Sequence, residues 1–328
     1  MLWLPDSPAA PAVLLACAPA LALAADRLLG EPPPRWHPVA WMARWLLWAG
    51  ERLAPRADTP RTASDARVFW LAAASWCAAA AAVLGLAWLL QDWVLSQPPW
   101  LAALALGLFL KPLLAWARPH DEVLAVEGAL AESLDAGRAR LAQRLGADAA
   151  SLSAHQVREG AIERLAGQLH GSLVAPLFWF VLLGLPGAAL WRFASTADAL
   201  WGHRGVRNLH GVPRDWAWAG KWAARADDLL AWLPARLSGA LIAFTGGAQG
   251  PGRLWAEAAR LPSPNRGWPR AALAIALGVA LRVPGAPTLN PEGRAPEPAD
   301  TLRACAIGSR TALGATLLAC AALGWVLV

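Results

Sequence analysis

Two adjacent carboxylates, Asp227 and Asp228 in WAARADDLLAWLPARL, stand at the polar edge of an apolar run, with Arg225 before them and Arg236 behind. Paired carboxylates bind Mg²⁺ well when substrate phosphates complete its shell. The competing reading is that their charge only favours the start of the following helix. Asp198 lies at a similar junction, ASTADALWGHRGVRN, where Arg204 and Arg207 suit a phosphate or a lipid headgroup. His37, in PPPRWHPVAW, sits between a rigid turn and a helix start, a place for a ligand, a proton carrier or a structural histidine. LPSPNRGWP is a compact turn in which Asn265 and Arg266 present hydrogen-bond donors. Cys17, Cys77, Cys305 and Cys320 are isolated inside apolar runs and read as small buried hydrophobes, not metal ligands. The chain contains no GxxxxGK[ST], HExxH or GxSxG motif and no GxGxxG after a strand, so a nucleotide would need a different kind of site.

The elements that must carry these residues are apolar. Of 328 residues, 57% are hydrophobic and 16% charged, against about 25% charged in an ordinary soluble domain. That excludes intrinsic disorder, and four cysteines exclude a disulfide scaffold. Arginine supplies all but two of the 29 basic residues, and the net charge is +6. These arginines are scattered between apolar runs, as in positive-inside loops, and do not form a nucleic-acid reading face. Residues 68–90 run 23 positions without a charge, enough to cross a hydrocarbon core. Residues 7–29, 100–117 and 311–328 give further spans, the first as an uncleaved helix because Asp6 stands where a signal peptide has basic residues.

Two segments, 172–191 and 229–248, carry internal prolines or a charge (Pro176, Pro186, Pro234, Arg236) and predict broken helices. If both crossed the membrane simply, basic loops would fall on opposite sides of it, so one or both are expected to be re-entrant or buried against protein. Residues 118–171 read as a soluble helical insertion, with a break at Gly146 and Ser151 or Ser153 as the next N-cap. No stretch alternates as a strand between turn signals. The expected fold is all-α: one multi-pass integral membrane bundle over 1–328 with cytosolic helical loops.

These islands occur in an order that resembles the CobD/CbiB family of cobalamin biosynthesis. GEPPPRWHPV (30–39) is similar to its GDPxxxxHPV opening, placing Glu31 and His37 on polar motif positions. LGADAASL (145–152) resembles LGRDTxxL and keeps Asp148; AIERLAGQLHGSLVAPLFWF (161–180) resembles AxExxAENxxDGxxAPLFWF and keeps Glu163. STADALWGH (195–203) sits where the family has NTLDSMxGY, keeping Thr196, Asp198 and Gly202. ADDLLAWLPARL (226–237) is similar to LDDxxNxxPARL, and SPNRGWPRAALAIALGV (263–279) to SPNxGxPEAAxAGALGV. Several polar positions differ: Gly167, Gln168 and His170 replace acidic and amide residues, Ala147 and Ala149 replace Arg and Thr, Ser195 and His203 replace Asn and Tyr, and Arg270 replaces Glu.

The resemblance implies an inner-membrane enzyme with cytoplasmic polar loops that uses ATP and Mg²⁺ to join aminopropanol, or its O-phosphate, to the corrinoid adenosylcobyric acid. On that reading Asp227 and Asp228 hold the metal, assisted by Asp198 or Glu163. Arg207, Arg236 and Asn265 contact phosphate or substrate, and His37 or Glu163 orients or deprotonates the amine. Two readings compete with it. One is a catalytically degenerate relative that tethers other cobalamin-pathway enzymes at the bilayer. The other is a transporter, prompted by the broken helices and by Arg236 in an apolar run.

Overall fold

The computed structural model describes residues 10–58, 64–145, 150–248, 250–282 and 286–327. The apolar runs fold as helices: α1 (Ala10–Leu15), α2 (Ala18–Leu29), α3 (Pro38–Leu53), α4 (Asp65–Leu95), α5 (Pro99–Leu110), α6 (Ala117–Glu132) and α7 (Leu134–Leu145). After them come α8 (Ala154–Leu169), α9 (Ala175–Leu183), α10 (Leu185–Trp201), α11 (Lys221–Gly246), α12 (Pro251–Ala258), α13 (Gly267–Leu277) and α14 (Pro298–Leu327). Between α10 and α11 lies one antiparallel hairpin, β1 (Val206–Leu209) with β2 (Val212–Asp215). Among the described residues four helices are long and apolar enough to cross a membrane: Asp65–Leu95, Ala154–Leu183, Lys221–Gly246 and Pro298–Trp325. Pro99–Leu113 and Ala117–Glu132, bent by 42°, make a fifth if they form one broken span. The molecule is a helical membrane bundle.

Several boundaries differ from the sequence expectation, each for a local reason. Residues 10–29 do not form one helix, residues 7–9 of the expected span lying outside the described residues: the chain breaks at Ala16–Cys17, just before Pro19, whose ring disfavours continuing the preceding turn. Residues 100–117 are too short alone, because the helix tightens at Lys111–Leu113 over Pro112 and then bends into α6. The helix expected to begin near 172 starts instead at Ser153, whose side chain accepts from Gln156 N in a capping box, and it runs through a π-turn at His170–Val174 to Leu183. Part of the supposed soluble insertion is thus the first half of a spanning-length helix. The small hairpin was not expected; its turn residues His210 (φ 49°) and Gly211 (φ 81°) both take the left-handed conformation that closes a two-residue hairpin.

The helix predicted to break at Pro234 is continuous, and its neighbours explain why. A proline leaves the carbonyl four residues earlier without its helical donor. For Pro234 that carbonyl is Leu230 O, and the Trp179 indole donates to it at 3.1 Å. Pro176 likewise frees Ser172 O, which accepts from Ala115 N at 2.8 Å. The π-turn carbonyl of Gly171 accepts from Trp191 Nε1 at 2.8 Å. Within 172–191 the chain breaks at Gly184 (φ 71°), where Gln91 of α4 reaches across and its Oε1 accepts from Leu185 N at 2.7 Å. A β-carbon at Gly184 would lie 2.1 Å from that oxygen, so the position needs glycine for both shape and space.

Packing then fixes what can meet. Gly239 abuts Trp268 and Gly246 abuts Ala276, so α11 and α13 run in the same direction, and residues 247–266 must return along them. The return carries Asn265 back to Asp228, whose carbonyl accepts from Asn265 Nδ2 at 2.7 Å. One large core is built from α2, α5, α6, α8, α9, α13 and α14. A second, tryptophan-rich core (Leu46, Trp76, Phe193, Trp201, Trp216) joins α3, α4 and α10 to the base of the hairpin. The polar positions lie where these two cores part.

Candidate active site

Three adjoining cavities, of about 480, 670 and 540 Å³, run through the polar part of the molecule. The central one is walled by α8 (Glu163, Arg164, Gln168), α10 (Arg192, Thr196, Asp198), α11 (Asp227) and the returning loop (Asn265, Arg266), with Arg270 of α13. The second opens from the same wall towards Glu31, His37, Arg118 and Glu122; the third opens towards His203, Arg204 and Asp228. Asp198 and Asp227 line both the central and third cavities. Residues as far apart in sequence as Glu31 and Arg270 are thereby brought to one cleft.

The carboxylates in this cleft are in two conditions. Asp198, in the last turn of α10, accepts from Arg266 Nη2 at 3.0 Å. Glu163 accepts from Arg270 Nε in a close ion pair. That guanidinium fits because residue 167 has no side chain: a β-carbon there would sit 2.9 Å from Arg270 Nη2. Asp227, by contrast, has no hydrogen bond or salt bridge among the described residues, although it lines two cavities. Both Asp227 and Asp228 lie in the second turn of α11, past its first residues, so they do not cap the helix.

Around Glu31 the geometry assigns protons. His37 is the N-cap of α3: its Nδ1 accepts from Val39 N at 3.2 Å, so that nitrogen carries no proton. The proton of the neutral ring is then on Nε2, which donates to Glu31 Oε2 at 3.0 Å. Burial alone would push the Glu31 carboxyl up, but the His37 hydrogen bond and the charge of Lys111 outweigh it and hold it below its usual value. Lys111 Nζ is buried with no hydrogen-bond partner, 3.8 Å from Glu31 and 3.9 Å from Asp26. At the other end of the cleft, burial and the neighbouring Arg207 charge draw His203 below its ordinary value, so it faces the third cavity as neutral imidazole near pH 7.

The expected residues therefore divide. His37, Glu163, Asp198, Asp227, Asp228 and Asn265 line the joined cavities. Arg236 does not: it lies over the rings of Trp232 and Trp268 and donates to Trp232 O and Asn265 Oδ1, so it positions Asn265. Arg207 is exposed on β1, donates to Ala199 O at 3.2 Å and lines none of the three cavities. Asp148 lies outside the described residues. The arginines that do face the cleft are Arg118, Arg164, Arg192, Arg204, Arg266 and Arg270. Arg164 and Arg192 gave no sequence signal, since each sits in a helix with no neighbouring turn or acidic pair to mark it.

Among the described residues no three His, Cys, Asp or Glu side chains converge to hold a metal ion alone. Mg²⁺ seldom needs that: one or two carboxylates plus substrate phosphates and water suffice. An unpaired Asp227 sharing cavity walls with Asp198 and Asp228 fits such a partial shell.

Residues 19–307 match the family model described as CobD/Cbib protein. Among curated proteins, the chain is similar to the "Cobalamin biosynthesis protein CobD" of Chromobacterium violaceum, with 39% identity over 80% of this chain and 79% of the relative. The proteins of the same name from Brucella suis (34%, covering 80% of each) and Rhodobacter capsulatus (33%, covering 91% and 94%) are also similar. No solved structure matches.

Proposed function

Because the chain belongs to the CobD/CbiB family, we propose that it acts in cobalamin biosynthesis as an ATP-dependent amide ligase, joining aminopropanol or its O-phosphate to a propionate of adenosylcobyric acid. The observation that carries this reading is Asp227: an unpaired carboxylate facing a cleft whose other acidic groups mostly have partners. A half-buried carboxylate without a partner carries a desolvation cost, which a cation brought by a ligand offsets. Asp227 and Asp198 would hold Mg²⁺ on the nucleotide phosphates, with Asp228 assisting from the third cavity. The ion would supply charge neutralisation at those phosphates.

The rest of the task falls to the chain's own side chains. Glu31, held ionised below its usual value, is the group that would receive and orient the ammonium of the incoming amine. His37 has its basic nitrogen committed to Val39 N, so its part is to orient Glu31. Asn265, clamped by Arg236 and by Asp228 O, presents a fixed edge to the central cavity. Arg266 reaches Asp198 from an exposed position and can exchange that partner for a phosphate oxygen. Since nucleotide and corrinoid are cytosolic, the mouth of the cleft faces the cytoplasm, and the bundle lies in the inner membrane.

One observation favours the competing, non-catalytic reading. Arg270 closes on Glu163 over Gly167 and neutralises a carboxylate that the resemblance marks as functional. A single experiment separates the two readings: purified protein in lipid nanodiscs is assayed for ligation of each amine to adenosylcobyric acid with Mg²⁺ and ATP. Turnover by the wild type, falling about 10²- to 10³-fold in Asp227→Asn, is the outcome expected of the ligase. Full activity in that variant overturns the metal assignment, and a folded wild type with no turnover favours the tether.

A further inference from the structure

The central and second cavities share a wall made by Arg164, Gln168, Ser172 and Arg192. Charge accounting around that wall does not close. The neighbouring carboxylates are engaged: Glu163 with Arg270, Asp198 with Arg266, Glu31 with His37 and Glu122 with Arg118. The two arginines are not. Arg164 makes no hydrogen bond or ion pair among the described residues. Arg192 has a buried Nε with no partner, and its Nη1 reaches only Ser172 Oγ at 3.4 Å and Gly171 O at 3.5 Å, the long limit of a hydrogen bond. The Ser172 hydroxyl donates to Gln168 Oε1 at 2.7 Å, and among the described residues the Gln168 amide N–H groups have no acceptor.

Two guanidiniums from different helices, α8 and α10, thus share one wall with an amide donor, and among the described residues neither makes an ion pair. Like charges held together in a partly dry cleft repel, and a buried guanidinium Nε without a partner carries a desolvation cost. Both penalties vanish when an oxyanion bridges the pair, since guanidinium forks match carboxylate and phosphate oxygens. We propose that Arg164 and Arg192, with Gln168, form a binding subsite for an oxyanion, a phosphate monoester or a carboxylate, at the junction of the two cavities. The subsite lies where the central cavity meets the second, whereas the unpaired Asp227 lies where it meets the third, so the cleft holds one place for a cation and another for an anion. The proposal deepens the ligase reading and shares its cleft. It is tested by binding without turnover, so that either can fail alone.

The experiment is equilibrium binding of radiolabelled inorganic phosphate, with propionate as a competitor, to the full chain in nanodiscs. The wild type, Arg164→Gln, Arg192→Gln and the double variant are compared, and each is melted to establish that it is folded. The expected result is saturable phosphate binding that weakens about tenfold for each arginine removed, with partial recovery in Arg192→Lys. Adding a non-hydrolysable ATP analogue with Mg²⁺ identifies the source of the natural anion. Displacement of phosphate points to a nucleotide phosphate, and simultaneous binding points to the oxyanion of a second substrate; either supports the subsite. Absence of saturable phosphate or propionate binding to the wild type overturns the proposal. So does unchanged affinity in single variants that melt like the wild type.

Discussion

Helix α4 and the continuous helix Ala154–Leu183 are nearly equal in length, 31 and 30 residues, yet their surroundings are opposite. In its most apolar stretch α4 has 17% of its residues buried inside the protein, against 56% for Ala154–Leu183. The outer face of α4 shows Trp70, Leu71, Leu86, Trp88, Leu89 and Trp93, while its buried face sets the small Ala72, Ala73 and Ala80 among Val68, Trp76, Gln91 and Val94. That is the pattern of a helix solvated by lipid, where close approach replaces hydrophobic exclusion as the reason for packing. The other helix has no such freedom. Its apolar half, with Phe180 and Leu177, is enclosed by α10, α11 and α14, and its polar half carries Glu163, Arg164 and Gln168 into the cleft. A helix surrounded by protein can carry charge at membrane depth because the cavity it lines, not lipid, meets that charge.

The contrast predicts a large asymmetry in stability. Phe180→Ala removes a fully buried ring from the main core and should cost about 3–5 kcal/mol. Leu89→Ala removes a side chain that is 58% exposed on α4; lipid takes its place, and the cost should stay within about 0.5 kcal/mol. Unfolding of the two variants in nanodiscs measures both. If Leu89→Ala were as damaging as Phe180→Ala, the outer face of α4 would be packed against protein and the comparison would break.

The same contrast explains what the sequence could disclose. Helix α4 announces itself because every residue of 68–90 must satisfy lipid or a packed neighbour, and both demands are apolar. The start of Ala154–Leu183 looked soluble because its demands come from a cavity, which only tertiary structure reveals. Pro234 misled for a related reason: whether a proline breaks a helix depends on who receives the freed carbonyl, and Trp179 comes from 55 positions earlier. The site was legible in part. Asp198, Asp227, Asn265 and His37 stand beside prolines, glycines or charge junctions that marked them, while Glu31 was marked only by the family resemblance. Arg164 and Arg192 are embedded in regular helix, and their importance comes from lacking partners, a property no linear pattern carries. Arg207 and Arg236 looked like cleft residues because their neighbours in sequence are, but β1 and the face of α11 turn them elsewhere.

A smaller effect tests the seam between the two helices. Gln91 is the one buried amide on α4, and it accepts from Leu185 N where the chain breaks after α9. Gln91→Ala leaves that N–H buried without an acceptor and should cost about 1–3 kcal/mol. Gln91→Glu keeps an acceptor in place and should lose less of the hydrogen bond. Amide exchange at Leu185 reads the difference directly: protection falls in the alanine variant and is retained where an acceptor remains. Unchanged exchange in Gln91→Ala would mean that α4 is a passive neighbour of the break.

The smallest expected effect concerns the charged edge of the cleft. The Glu31 carboxyl is held below its ordinary value of 4.5 when folded, because the His37 hydrogen bond and Lys111 outweigh burial. For an acid with a depressed folded pKa, the unfolded chain binds protons more readily, so stability rises with pH through the window between the two values. The contribution is therefore complete above about pH 4.5, and it is lost as pH falls through the lower folded value. Glu31→Gln removes this dependence. The wild type should be the more stable protein at neutral pH, and the two should converge in acid, where Glu31 is protonated in both states of the wild type. Melting each in nanodiscs from pH 3 to pH 7 distinguishes this from simple loss of packing, which would shift the variant equally at every pH. An equal shift would reduce Glu31 to a structural partner of His37 and remove the argument that it is poised, ionised, for the amine.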